Sequence, residues 1–70
     1  MQEQFGRWLV RQAKRMDWVG QLAEQAARDR KFPTDATPEE VRLHLSGHGA
    51  DADLFEMLDD AESEWLRIAA

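Results

Sequence analysis

The chain reads as an all-α fold, a compact bundle of four helices, on three observations. Alanine, leucine, glutamate, glutamine and arginine dominate its 70 residues, tyrosine is absent and β-branched residues are sparse. Apolar residues recur three and four positions apart in separate blocks, the mark of amphipathic helices. Between the blocks stand helix stop and start signals, and both prolines fall in one such junction. A single domain spanning residues 1–70 accommodates the whole pattern. At 43% hydrophobic residues the chain has enough apolar material to fold despite its net charge of −5.

The first helix is expected over about Glu3 to Lys14, with Phe5, Trp8, Leu9 and Ala13 on its buried face. "RMDW" interrupts that pattern, and Asp17 is placed to cap a second helix. The second helix carries Val19, Leu22, Ala23 and Ala26 and ends near Asp29 or Arg30. Gly20 and the alanines keep it thin, so a neighbour can approach closely. Pro33 biases Phe32 away from helical geometry and closes this segment. Phe32 is the only large apolar residue between Leu22 and Val41, which suits a plug under the connection.

The third helix starts at Thr37-Pro38-Glu39-Glu40, where threonine caps, proline takes the first helical position and Glu40 closes a capping box. It is short, about Pro38 to Ser46, with Gly47 as the expected left-handed stop. Asp51 is placed to cap the last helix, about Ala52 to Ile68. Leu54 or Phe55, Leu58, Ala61, Trp65 and Ile68 form its apolar stripe. Asp53, Glu56, Asp60 and Glu64 form an acidic flank beside it.

The residues carry little recognisable chemistry. There is no cysteine, so disulfides and thiolate metal sites are excluded and a reducing cytoplasm is the expected compartment. No apolar run approaches the roughly 20 residues that span a bilayer, and the N-terminus lacks a signal-peptide core. His44 and His48 have a zinc-ligand spacing, but Gly47 is expected to end the helix between them. They read as an exposed histidine and a turn histidine. Ser46 and His44 are two apart and point to different faces of a helix. Asp59 and Asp60 sit on an exposed flank that supplies no desolvation to separate acid from base. Four scattered glycines make no phosphate loop. The expectation is no enzyme, no metal, no cofactor and no small-molecule substrate.

Charge is divided along the chain. Residues 1–32 hold seven basic and four acidic side chains, whereas residues 33–70 hold two basic and ten acidic ones. Arg7, Arg11, Lys14 and Arg15 form the best basic patch, near one face of the first helix. That patch is the basis of a nucleic-acid reading, against which stand a pI near 4.8 and an acidic second half. Trp8 and Trp65 belong to apolar stripes and read as core. Trp18 lies off its stripe and reads as partly exposed.

"FGRWLVRQAKRMDWVGQLAEQAARDRKFP", a capped helix and a late tryptophan together resemble the YozE SAM-like family of small bacterial proteins. The matching elements are Phe5, Trp8 and Leu9; Gly20, Leu22 and Ala23; Asp29, Phe32 and Pro33; and Trp65. Gln21 departs from the acid found in many members. The resemblance covers nearly the whole chain and implies a fold like the sterile alpha motif. It implies no activity. The expected role is a non-enzymatic protein-interaction module whose partner is another protein or a second copy. The candidate surface comprises Arg7, Arg11, Lys14, Arg15, Trp18, Glu56, Asp60 and Glu64. Opposed charges on the first and last helices pair either within one molecule or between two.

Overall fold

The computed structural model describes residues 3–47, 49 and 52–69. Four helices follow one another: α1 (Phe5–Val10), α2 (Trp18–Arg28), α3 (Pro38–Ser46) and α4 (Ala52–Ala69). No strand occurs among the described residues. The caps form as the sequence implies. Asp17 accepts the Gly20 N–H at 3.0 Å. Thr37 and Glu40 make the reciprocal capping box, with Glu40 N–H to Thr37 Oγ1 at 3.2 Å and Thr37 N–H to Glu40 Oε1 at 3.0 Å. The proposed Asp51 cap and His48 lie outside the described residues.

The core is one cluster to which every helix contributes. Phe5, Trp8 and Leu9 of α1 meet Val19, Leu22, Ala23 and Ala26 of α2, Val41 of α3, and Leu58 and Ala61 of α4. Phe5 stacks near Trp8, with centroids 6.0 Å apart, and meets Trp65 edge-on at 5.5 Å. Trp65 is only partly buried, and its indole N–H donates to the Glu3 carbonyl at 3.0 Å. That bond satisfies the polar end of a large ring whose body packs on the core. Phe32 is buried, as its isolated position in the junction implies.

Three elements differ from expectation. First, α1 stops at Val10, not near Lys14. Beyond it the N–H groups of Gln12, Ala13 and Arg15 bond three residues back, to Leu9, Val10 and Gln12. The tightened turn delivers the Arg15 backbone against α2. A Cβ on Gly20 would lie 2.1 Å from the Arg15 carbonyl oxygen, so the close neighbour this glycine admits is its own incoming chain. Second, Gly47 has φ −70° and ψ −13°, and its N–H still bonds to Leu43, so it prolongs right-handed geometry. The positive φ belongs to Gly49, at 73°. Third, Ile68 keeps the register of the α4 stripe yet is 63% exposed. Eighteen residues rise about 27 Å, well over the eleven residues of α2, so α4 is longer than the helix it packs against and Leu66 and Ile68 near its end stay exposed.

One contact was not legible in the sequence. The loop after Phe32 lies across the start of α1, where Gly6 N–H donates to the Ala36 carbonyl at 3.1 Å. Ala36 is buried there. A Cβ on Gly6 would lie 2.2 Å from the Pro33 carbonyl oxygen. The Phe-Pro junction thus packs on α1 as well as joining α2 to α3.

Candidate functional site

The basic residues singled out from the sequence do not form an open cationic face. Arg11, Lys14 and Arg15 lie beyond the end of α1, in the segment that leads to α2, which corrects their placement on that helix and leaves only Arg7 on it. Arg7 bonds to Asp35 at 2.8 Å, in the loop that crosses α1. Arg11 pairs with Glu3. Arg15 is the most engaged. It pairs with Asp17 at 2.6 Å and makes two contacts with Glu64, one of them 3.0 Å long. Among the described residues Lys14 has no ion-pair partner. A phosphate backbone approaching this face would therefore have to displace carboxylates from three of the four cations.

The Arg15 knot is a tie between the α1–α2 turn and the end of α4. Hydrogen bonding to Glu64 and then Asp17 raises the Arg15 pKa beyond its ordinary range. The same guanidinium lowers both carboxylates, and at Asp17 the Gly20 N–H adds to the effect. All three groups are charged at neutral pH. The pairing runs within one molecule, so at this position the opposed charges of the two halves meet internally. Arg42 makes a second tie, pairing with Asp59 of α4 while its guanidinium lies 5.7 Å from the Phe55 ring centroid. Glu56 and Asp60 are exposed on the outer flank of α4.

His44 departs from its reading as an exposed histidine. Its side chain is only 16% exposed, its Nε2 lies 2.7 Å from Asp29 Oδ2, and its ring meets Phe32 edge-on. The other Asp29 oxygen accepts the Lys31 N–H at 2.9 Å. This imidazole ties α3 to the residue that ends α2. No group of three or more His, Cys, Asp or Glu side chains capable of holding a metal occurs among the described residues. A cavity of about 160 Å³ lies nearby, lined by Leu22, Ala26, Phe32, Leu45 and Leu54 together with the polar Gln25 and Asp29.

Exposed apolar groups make up the rest of the candidate surface. Met16 is 98% exposed and Trp18 37%, on either side of the cap residue Asp17. Trp18 is thus partly covered, as its position off the α2 stripe implies. Leu66 at 51% joins Ile68 on the last turns of α4, and Leu43 is exposed on the outer face of α3. Met16, Leu43 and Leu66 were missed in the sequence because a lone apolar residue off a stripe carries no periodic signal. The Arg15–Glu64 pair brings two of these sites to one end of the molecule, since Met16 follows Arg15 directly and Ile68 lies one turn beyond Glu64.

No helix among the described residues is long and apolar enough to cross a membrane. A family model described as YozE SAM-like fold matches residues 4–67. No curated protein and no solved structure matches the chain.

Proposed function

We propose that this chain, which belongs to the YozE SAM-like family, works as a non-enzymatic protein-interaction module of the bacterial cytoplasm. One observation carries the reading. Met16, Trp18 and Ile68 expose apolar surface at positions where the fold itself has no use for it. Tryptophan and methionine are enriched at the centres of protein interfaces. The charged residues beside them are ordered by the Arg15–Asp17–Glu64 knot, so the polar surroundings of the apolar groups are held in place before any partner arrives.

Nucleic-acid binding through Arg7, Arg11, Lys14 and Arg15 is the competing reading. The carboxylates already paired with Arg7, Arg11 and Arg15 weigh against it, as does the net charge of −5.

The test is capture from host cells on the immobilised chain, with bound protein and nucleic acid both analysed. A specific protein retained by the wild type and lost with Met16→Glu or Trp18→Ala is the expected result. Salt-sensitive retention of nucleic acid, abolished by Arg11→Glu, would overturn it.

A further inference from the structure

We infer that the cavity at the end of α2 binds one small uncharged molecule, a single ring or branched chain carrying one hydroxyl or amide group. The inference goes beyond the interaction reading and does not rest on it. Its first ground is shape. Leu22 and Ala26 of α2, Phe32 of the junction, Leu45 of α3 and Leu54 of α4 line about 160 Å³ of space. A cavity of about 150 Å³ with leucine and phenylalanine walls is large enough to hold benzene. One side of it is firm, since Leu22, Ala26 and Phe32 are buried and the Phe32 ring meets His44 edge-on. Leu45 and Leu54 pack against the core yet are only partly buried, which leaves apolar surface for a ligand to cover. Ala26 contributes only a methyl group, and a larger side chain at that position would take up the space.

The second ground is the contrast between the two polar lining residues. Asp29 is engaged: its carboxylate meets His44 Nε2 at 2.7 Å and accepts the Lys31 N–H at 2.9 Å. Gln25 is exposed, on the side where the cavity opens to solvent, and its side chain makes no hydrogen bond among the described residues. A glutamine amide both donates and accepts, which suits a hydroxyl or amide on the ligand. Charge on the ligand works against binding, because an ion loses its hydration against apolar walls. An anion meets Asp29 and finds no lysine or arginine in the lining, and a cation has to compete with His44 for the carboxylate.

The test is a set of NMR titrations of the full chain with toluene, benzyl alcohol, benzylamine and benzoate. Benzyl alcohol should shift the Phe32, Leu45 and Leu54 resonances saturably, and should bind more tightly than benzylamine or benzoate. Gln25→Leu replaces an exposed side chain, so the thermal midpoint and toluene binding should be retained. The affinity for benzyl alcohol relative to toluene should nevertheless fall about two- to tenfold, the value of one hydrogen bond. Ala26→Leu should abolish binding of both by filling the cavity. Leu45→Phe fills the same space from the α3 wall and takes its place if Ala26→Leu lowers the thermal midpoint.

Shifts that do not saturate or that scatter over the surface overturn the inference, as does tighter binding of either ion. So does an unchanged affinity ratio in the Gln25→Leu chain, or binding that survives in a folded chain with the cavity filled. None of these results bears on the capture experiment, which reads Met16 and Trp18 at the opposite end of α2.

Discussion

Gly6 shows how much one missing side chain can decide. Its N–H donates to Ala36 and its α-carbon faces the Pro33 carbonyl, with no room for a methyl group. Gly6→Ala forces backbone against backbone, and neither side has a flexible end to give way. The expected cost is about 1–3 kcal/mol, read as a thermal midpoint lowered by about 4–8 °C per kcal/mol. An unchanged midpoint would mean that the loop does not lie across α1. Gly6 attracted no notice in the sequence because a glycine within a short helix looks like a defect. By contrast Phe5, Trp8, Leu9 and Phe32 were legible as core from type and spacing alone. His44 was not, because its burial depends on Asp29, fifteen residues away, and on a ring edge from Phe32.

Among the elements, α2 and α3 were the most legible because their starts are chemical. A carboxylate or hydroxyl ahead of the first turn supplies an acceptor that the helix needs, and both bonds form. Thr37→Ala removes one of them and should cost about 1 kcal/mol, measured by chemical denaturation. Thr37→Ser should retain most of that stability. If alanine and serine behave alike, the capping box is not what starts α3. The end of α1 was less legible. Nothing chemical marks Val10 as a terminus, and Arg11 to Lys14 suit a helix as well as a turn. The chain leaves helical geometry there because Arg15 must reach both Gly20 and Glu64. Gly47 misled for the opposite reason, since a glycine after a helix is a usual stop but is free to continue right-handed.

For the whole molecule, the Arg15 knot is the connection with the clearest pH dependence. Asp17 and Glu64 have lowered pKa values in the folded state, so each contributes stability that is present above its unfolded value and lost as pH falls through the folded one. Arg15 is raised, so its contribution is complete below the ordinary guanidinium range and would be lost only at more alkaline pH still. An Arg15→Met chain should therefore be less stable than wild type above about pH 5, with the difference closing at more acidic pH. Denaturant midpoints across that range test it. A difference that persists unchanged to low pH would assign the role of Arg15 to packing of its aliphatic stem. The division of charge between the halves was visible at once in the sequence, but it gave no means to choose between internal and intermolecular pairing.

Composition, apolar spacing and capping residues were sufficient to specify four helices, most of their boundaries, the principal core residues and the YozE SAM-like family. These properties depend on neighbours within a few positions, or on the amount of apolar surface available, and both are written along the chain. The fate of the charged patch, the burial of His44, the need for glycine at position 6 and the exposure of Ile68 depended on the packed arrangement. Each arises where segments distant in sequence meet, or where one helix outlasts its neighbours. Local pattern records which faces are apolar. Only the assembled bundle determines which of those faces find a partner inside the molecule and which are left for another.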